Sequence, residues 1–386
     1  MRSEPGFFRR VQYWSLAFAM VGLVGCLLGW VHAPAQFFLS YLTAIITFLG
    51  IALGSLAWTM VHSLTGGKWG YVVRRFFEAA MATLPLLLLL FVPIFFALPN
   101  LFPWARPAEL ALNDTLRHRQ SYLNPTAFTV RAIVLFGIWI LIAGLLRKWS
   151  AEQDAMQSVE PTKKMRRLSG PGLVIYPITA TFAFVDWVMS MEADWFSTIF
   201  PILICIGQML SALAFSILML ALWERRTRLA EVSGPQVFHN LGNLLLALTM
   251  TWTYLAFSQL LIIWSGDLPH EISWYLHRTA GGWKAVAFFL FAFHFFLPFT
   301  ALLSRRNKQR LGVLTGIAAI IFVTHVVDVW WLVTPSVFKA GVHLSWIDFA
   351  ALIGVGGLWF AFFINRLQAT GIVPLNDPRF ALATPV

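Results

Sequence analysis

Residues 186–201 read DWVMSMEADWFSTIFP and join two long apolar segments through a short acidic turn. One aspartate, Asp186, remains inside the first apolar segment. A charged side chain at the centre of a bilayer costs at least about 2.5 kcal/mol on insertion scales, so ionisable residues there are rare and commonly functional. Asp186 is therefore the first candidate functional residue of this sequence.

Apolar blocks long enough to cross a bilayer recur along the whole chain. Hydrophobic residues make up 59% of the 386 residues and charged residues only 12%. A helix needs about 20 apolar residues to span a hydrocarbon core of about 30 Å. This composition predicts an all-α polytopic membrane protein with ten transmembrane helices in a single domain. The predicted spans are 12–31, 37–61, 76–98, 127–146, 172–190, 197–223, 236–264, 282–304, 311–333 and 346–365.

The distribution of lysine and arginine predicts how these helices are oriented. The two termini and every second connection hold 21 of these residues, whereas the alternate connections hold five. Because positive charge is enriched on the cytoplasmic side, both termini are predicted to be cytoplasmic, and the loops 99–126 and 265–281 to face outward. The charged connection 147–171 is predicted to be a cytoplasmic loop, and no soluble domain is predicted.

The outer loop 99–126 is rich in proline, tryptophan, arginine and histidine. A loop of this length docks a partner, covers a site or simply connects two helices. The sequence leaves these alternatives open.

The N-terminal segment has some features of a cleaved signal peptide. Arg9 and Arg10 precede an apolar run that ends near Ala33-Pro34-Ala35. The run is nearer 20 residues than the 7–15 of a signal peptide, which favours a retained first helix. Cleavage would leave the other nine helices oriented as before.

Cysteine content indicates that this chain holds no covalently bound redox centre. Cys26 and Cys205 each lie within an apolar block, and the sequence contains no paired-cysteine motif for c-type haem, zinc or an iron–sulfur cluster. Any such centre would belong to a partner. The net charge of +11 comes from basic residues at helix ends, where they orient the protein, so nucleic acid is not a predicted partner.

Six ionisable residues within the predicted spans form a candidate proton relay. Depths counted at about 1.5 Å per residue from the span ends sample the whole membrane. Glu78 and His239 lie just inside the cytoplasmic surface, where their side chains can reach water, and His294 lies near mid-membrane, as does Gln208. Asp186, His325 and Asp328 lie in the outer half.

His325 and Asp328 are three residues apart, which puts both side chains on one helix face, within reach of a shared hydrogen bond or a water. An imidazole next to a carboxylate can exchange protons near neutral pH. The alternative is a satisfied interhelical hydrogen bond, since polar side chains also hold membrane bundles together. Arg131 is predicted either to pair with Asp186 or Asp328, or to be a plain interfacial arginine.

Two histidines on different helices can also be axial ligands of a b-type haem. The counted depths of His294 and His325 differ by roughly 10 Å. This separation is too large for ligands on opposite faces of one iron, so no haem is predicted.

Several separated motifs carry a resemblance to a known family. The longest are Asp186–Glu192 with Trp195–Phe200, and Tyr254–Gln259 with Ile262–Trp264. They resemble the F subunit (ActF) of bacterial alternative complex III, a quinol:cytochrome c or high-potential-acceptor oxidoreductase. The likeness runs from about residue 10 to about residue 375. The other matching motifs are Leu268-Pro269, Glu271, Trp274-Tyr275, Tyr122–Pro125 with Arg131, and Phe293–Phe299 with Ser304-Arg305.

The resemblance implies an NrfD/PsrC-like membrane subunit with two four-helix bundles, one further helix at each end, and no prosthetic group of its own. It implies a location in the bacterial cytoplasmic (inner) membrane, among lipids, within an electron transport chain. The implied partners are a homologous C subunit that is the favoured site for quinol or menaquinol, an iron–sulfur subunit, haem c subunits and, in some assemblies, a terminal oxidase. The implied role is structural, with a possible proton path.

Two other interpretations remain open at this point. A stand-alone secondary transporter would use the buried carboxylates as ion sites and would have discontinuous helices at mid-membrane. Pro177 and Pro201 lie near span ends instead, which weakens that interpretation. A passive scaffold would share the partners of the complex and lack the relay.

Overall fold

The computed structural model describes residues 5–156, 158–227, 229–374 and 376–377. Over these residues the protein is all-helical, with no β-strand, and ten helices are long and apolar enough to cross a membrane. The predicted all-helical, multi-pass class is confirmed. We number the ten helices α1 to α10 in chain order: Gly6–His32, Pro34–Thr65, Lys68–Phe96, Pro125–Ala155, Glu160–Met191, Ile199–Trp223, Pro235–Gly266, Trp283–Leu303, Leu311–Ser336 and Trp346–Thr370.

Several of these helices extend beyond the spans that hydropathy predicts. α3 begins at Lys68 rather than at residue 76. The predicted loop 147–171 is mostly helical, because residues 147–155 end α4 and residues 160–171 begin α5. Hydropathy detects only the part of a helix that lies in hydrocarbon, whereas backbone hydrogen bonding continues the helix into the headgroup region.

Proline explains two irregular helices. α3 is interrupted at residues 82–83, because Pro85 has no amide hydrogen and its ring clashes with the carbonyl four residues earlier. α8 widens into a π-helix over Phe291–Phe296, just before Pro298, which removes the donor that would otherwise bond the carbonyl of His294. Single π-turns are frequent at functional sites, and this one contains a candidate histidine.

α2 is the central helix of the protein. In its most apolar window 83% of the residues are buried, against 22% for α7, and α2 contacts α3, α5, α6 and α10. Its approach to α6 requires glycine, because a Cβ on Gly54 would lie 2.1 Å from the carbonyl oxygen of Gln208. Contact through small residues is a common way in which membrane helices pack. The same device joins α1 to α10, where a Cβ on Gly22 would lie 2.2 Å from the amide nitrogen of Gly354.

The charged connections gather at one end of the bundle, which we call the basic end. Arg75 of α3 pairs with Asp154 of α4. The Tyr71 hydroxyl donates to the carbonyl of Pro374 at 2.6 Å, so the C-terminal segment also packs at this end. The basic end corresponds to the predicted cytoplasmic face.

The two long loops meet at the opposite end, which we call the loop end. Trp104 of the first loop is buried and donates from its indole to Ser190 Oγ at 3.0 Å. Arg278 of the second loop donates to Glu192 at 3.3 Å. Both loops are therefore anchored on the turn that follows Asp186.

Cysteine labelling tests the predicted orientation of the two ends. Leu112 at the loop end and Val159 at the basic end are exposed, and the native Cys26 and Cys205 are buried. In intact cells, a membrane-impermeant thiol reagent should label Leu112→Cys from outside and should label Val159→Cys only after permeabilisation. Labelling of both positions from the same side would contradict the topology.

Candidate functional site

Three of the predicted relay residues come together between α8 and α9. They are His294, His325 and Asp328, all buried, and one polar atom of each lies within 4.8 Å of the other two. The two imidazole rings stack, with centroids 6.1 Å apart and planes 26° apart. His325 Nδ1 lies 3.9 Å from Asp328 Oδ2. We call these three residues the His–His–Asp cluster.

The stacking of the two histidines corrects the predicted depth difference of roughly 10 Å between them. Trp283, which begins α8, donates from its indole to the carbonyl of Phe338 at 3.1 Å. The loop end of α8 is therefore level with residue 338, five residues beyond the predicted end of the ninth span. His294 follows Trp283 by 11 residues and His325 precedes Phe338 by 13, so the two side chains lie at a similar depth.

Hydrogen bonding identifies the free nitrogen of His294. The Thr324 hydroxyl donates to the carbonyl of Ile320 at 2.7 Å, and its oxygen lies 2.7 Å from His294 Nδ1. A hydroxyl has one hydrogen, so when that hydrogen is donated to Ile320 the Thr324 oxygen accepts from His294, and Nδ1 is the protonated ring nitrogen. His294 Nε2 is then an unprotonated lone pair. This nitrogen is buried and has no hydrogen-bond partner among the described residues.

Trp252 of α7 covers the cluster on another side. Its ring packs edge-on against His294, with centroids 4.5 Å apart and planes 80° apart. Its indole also lies near the carboxylate of Asp328. Trp252 therefore contacts two of the three cluster residues and limits access from the α7 side.

A small cavity lies beside His325 and Asp328, and Gln208 of α6 is the third polar residue that lines it. The water-accessible volume of this cavity is about 20 Å³. The Tyr176 hydroxyl donates to Gln208 Oε1 at 2.7 Å, whereas Gln208 Nε2 and His325 Nδ1 have no partner within the described part of the chain. A water needs roughly 10–15 Å³ of such volume and two to four polar partners. The cavity is suited to one bridging water.

The cluster does not have the geometry of a haem site or of a closed metal site. Axial ligands point their nitrogens at an iron between them, whereas the rings of His294 and His325 stack on each other. Zinc at about 2.0–2.1 Å from each ligand requires ligand atoms roughly 3.3 Å apart, and the cluster atoms are spread over up to 4.8 Å. A metal would bind here only after the side chains had moved closer together.

Asp186 lies outside the cluster and forms an ion pair with Arg131. Arg131 Nε and Nη2 donate to the two carboxylate oxygens at 2.7 and 3.1 Å. Asp186 is fully buried, and the Arg131 guanidinium also stacks on the ring of Tyr122, 3.8 Å from its centroid. This two-point contact joins α4 to α5. Of the predicted alternatives for Arg131, the structure has the pair with Asp186.

Glu78 is not at the surface, contrary to the sequence-based expectation. It is 2% exposed and accepts hydrogen bonds from Arg74 at 2.7 Å, Arg75 at 2.6 Å and Ser150 at 2.6 Å. The expectation failed because Arg74 and Arg75 lie in α3 beside Glu78 rather than in a solvated loop. Both arginines also pair with a second acid, Asp377 or Asp154. Glu78 is therefore the centre of a buried ion network at the basic end.

His239 is also separate from the cluster. It is half-buried near the start of α7, and its Nδ1 lies 3.4 Å from the side-chain nitrogen of Asn243. It precedes Trp252 by 13 residues, which is about 20 Å along a helix. The structure thus brings together His294, His325 and Asp328 and leaves Asp186, Glu78 and His239 apart.

A buried ionic group at the loop end was not found from the sequence. Glu192 is 5% exposed and lies 3.3 Å from Arg278, 3.5 Å from His277 and 3.7 Å from Lys339. Burial lowers the pKa of Arg278 to about 10, although Glu192 opposes the shift, and the guanidinium stacks on Trp274 at 3.8 Å. In the sequence analysis Arg278 and Lys339 were interpreted only as charges that set the orientation of the helices in the membrane.

Gln208, Trp252 and Thr324 surround the His–His–Asp cluster, and the sequence analysis did not predict them as site residues. Thr324 is next to His325 in sequence, and its hydroxyl was the only local signal. Gln208 was recognised as a polar residue near mid-membrane, without a partner. Trp252 lies on a different helix from the cluster residues, so no sequence spacing connects it to them.

Neither protein-family models nor curated proteins match this chain.

Replacing Arg131 tests whether its pair with Asp186 stabilises the fold. Arg131→Gln should lower the free energy of unfolding by about 3 kcal/mol, because it leaves a buried carboxylate without its charge partner. Arg117→Gln, which breaks an exposed pair with Asp114, should change it by less than about 1 kcal/mol. Unfolding of purified protein in detergent provides the measurement. Equal effects of the two substitutions would contradict a stabilising role of the buried pair.

The surroundings of His277 predict a loss of stability in acid. Burial lowers the pKa of His277 below its ordinary value of 6.5 and Lys339 adds to this effect, while Glu192 opposes it. Below pH 6.5 the unfolded chain therefore binds this proton more readily than the folded chain, and stability falls until the pH passes the lower folded pKa.

Melting temperatures between pH 8 and pH 5 test this prediction. His277→Gln should lose less stability in acid than the wild type. His270→Gln alters an exposed histidine of the same short helix, Pro269–Thr279, and should follow the wild-type profile. The prediction fails if His277→Gln and wild type lose the same stability over this range.

Proposed function

We propose that this chain is an integral membrane subunit of a quinol:electron-acceptor oxidoreductase of the alternative complex III type, and that its His–His–Asp cluster passes protons. The observation that carries the proton role is a buried set of titratable groups with unpartnered nitrogens beside a water-sized cavity. Polar groups of this kind are costly inside a membrane unless they have partners. A role in proton transfer gives a reason for leaving them unpaired.

The motifs that suggested the family also support the assignment by their positions. Trp195 stacks on Trp274, with centroids 4.9 Å apart. Ser197 donates to Gln259 Oε1 at 3.0 Å, and Gln259 donates to the Tyr275 hydroxyl at 3.4 Å. Segments that are far apart in sequence thus pack together at the loop end. Under this proposal, haem c and iron–sulfur subunits dock at the loop end, outside the bacterial cytoplasmic membrane.

The same proposal includes the finer architecture. α2–α5 and α6–α9 would form the two four-helix bundles, with α1 and α10 as the flanking helices and both termini in the cytoplasm. Contacts of α2 with α6, and of α1 with α10, are compatible with this grouping. The chain itself would bind no prosthetic group, and quinol oxidation would occur in the homologous membrane subunit.

A proton transfer at the cluster needs only its own groups and one water. The imidazoles of His294 and His325 can each accept a proton, and Asp328 can balance the resulting charge. A water in the adjoining cavity could bridge His325, Asp328 and Gln208. Asp328 precedes the last residue of α9, Ser336, by eight residues, which is about 12 Å. The path for a proton between Asp328 and the loop end is therefore shorter than the path between Asp328 and the basic end.

The stand-alone transporter receives less support. A cavity of about 20 Å³ beside the cluster is the size of a water rather than of a transported solute. The interruption of α3 is explained by Pro85, and α5 continues through Pro171 and Pro177 without a break. The passive scaffold differs from the main proposal only in the proton role, which the following experiment tests.

Asp328→Asn and His325→Gln should reduce proton release by about tenfold or more while leaving assembly intact, because each keeps size and hydrogen bonding and removes a titrating group. Quinol oxidation and proton release in the reconstituted complex are the two measurements. His239→Gln, which alters a histidine outside the cluster, should behave as wild type.

Three results would contradict parts of this proposal. If both cluster variants release protons with the wild-type stoichiometry, the proton role is excluded and the passive-scaffold interpretation remains. A stoichiometric transition metal in the purified protein, lost in both variants, would mean that the cluster binds metal instead. A colourless single protein that transports solute in vesicles, without co-purifying haem c or iron–sulfur subunits, would support the transporter.

A further inference from the structure

Tyr254 of α7 lies at the middle of the membrane. At the basic end of this helix, Asn243 accepts a hydrogen bond from the Lys308 ammonium at 2.7 Å, which marks the polar boundary. Near the other end, Trp264 is 69% exposed, as in an interfacial aromatic belt. These two positions are 21 residues apart, or about 31 Å, the thickness of a hydrocarbon core. Tyr254 is at their midpoint.

The hydroxyl of Tyr254 has no partner at this depth. The side chain is 68% exposed and faces away from the protein, and no hydrogen bond to another described residue involves it. Each interface is about 15 Å away, which is farther than a tyrosine side chain can reach. Hydrocarbon supplies no hydrogen-bond acceptor, so lipid leaves this donor unsatisfied.

The same face of α7 is suited to contact with another helix. Ala247, Thr251 and Ser258 lie at helical spacing from Tyr254 and are exposed or partly exposed, and the large apolar residues Met250, Phe257 and Leu261 lie on the same face. Small and hydroxyl-bearing residues allow helices to approach closely and to form hydrogen bonds in membranes. The small residues of this face are therefore compatible with a close helix approach, and its large apolar residues supply side chains for packing.

The outer face of α1 provides a contrast within the same protein. Its exposed residues between positions 16 and 31 include Leu16, Met20, Val24 and Leu27, and all are apolar. That face is suited to lipid. α7 has only 22% of its most apolar window buried inside the protein, yet its exposed face carries polar groups.

We infer that this face of α7 binds a transmembrane helix of a different membrane subunit, which offers a hydrogen-bond acceptor to Tyr254 at mid-membrane. The identity of the partner as another subunit of the same complex depends on the proposed function. The contact would lie one helix away from the His–His–Asp cluster, because Trp252, on the same helix turn as Tyr254, packs against His294.

Photo-crosslinking in the intact complex tests this contact. Benzoylphenylalanine at position 254 of the full-length chain, in native membranes, should crosslink to a membrane-spanning segment of a co-purifying subunit, identified by mass spectrometry. The same residue at position 20, where Met20 is 66% exposed on α1, should give lipid adducts only. A complex that contains the partner subunit but yields only lipid adducts from position 254 would overturn the inference. A crosslink to a second copy of this chain would also overturn it.

Removal of the hydroxyl provides a second readout. Tyr254→Phe should weaken retention of the partner subunit by about threefold to tenfold during detergent titration, as expected for one interhelical hydrogen bond. Tyr13→Phe, at a residue that is 70% exposed near the basic end of α1, should retain the partner as wild type does. Equal retention in both variants would contradict the predicted hydrogen bond. The subunit composition of the wild-type complex separately tests the proposed function.

Discussion

Hydrocarbon contains no water, so each charged or hydrogen-bonding side chain inside this helical bundle must find its partner within the protein. Two buried acids satisfy this constraint fully. Asp186 accepts hydrogen bonds from Nε and Nη2 of Arg131, and Glu78 forms ion pairs with Arg74 and Arg75. The first pair joins α4 to α5 at the loop end, and the Glu78 network reaches α4 at the basic end through Ser150 and through the Arg75–Asp154 pair. Several other buried polar atoms have no hydrogen-bond partner among the described residues, and of these His294 Nε2 and His325 Nδ1 lie beside a buried carboxylate and a water-sized cavity. A functional interpretation concentrates on these two nitrogens.

Asp186 and Asp328 occupy similar positions on their helices, but the basic side chain beside each acid is of a different type, and this changes the chemistry of the pair. Each acid lies in the loop-end half of its helix, α5 or α9, and each has a nitrogen-bearing side chain of the preceding helix nearby. In the first case that neighbour is Arg131, which stays charged at all physiological pH values, so the pair is permanent. In the second case that side chain is His294, with His325 of the same helix 3.9 Å from the carboxylate, and a histidine can gain or lose a proton. The first arrangement is suited to stability and the second to proton exchange.

Backbone features position the cluster as much as its side chains do. Pro298 disturbs the regular hydrogen bonding of α8, and the π-turn before it contains His294. Gly54 lets α6 approach α2 closely at Gln208, whose side chain lines the cavity beside His325 and Asp328. Pro298, Gly54 and Gln208 are not ionisable. They nevertheless determine which polar groups share a cavity at the centre of the protein.

Hydropathy and local spacing were enough to predict the ten helices, the isolated acid Asp186, and the placement of His325 and Asp328 on one helix face, because each depends on residues close together in sequence. The sequence alone did not determine that Glu78 is buried or that His294 meets His325. Those outcomes depend on where a helix ends and on how far it is shifted along its neighbour, which is set by contacts such as Trp283 with Phe338. The tertiary structure therefore decided which of the predicted polar residues form a site and which form ion pairs, since only packing between helices brings their side chains within hydrogen-bonding distance.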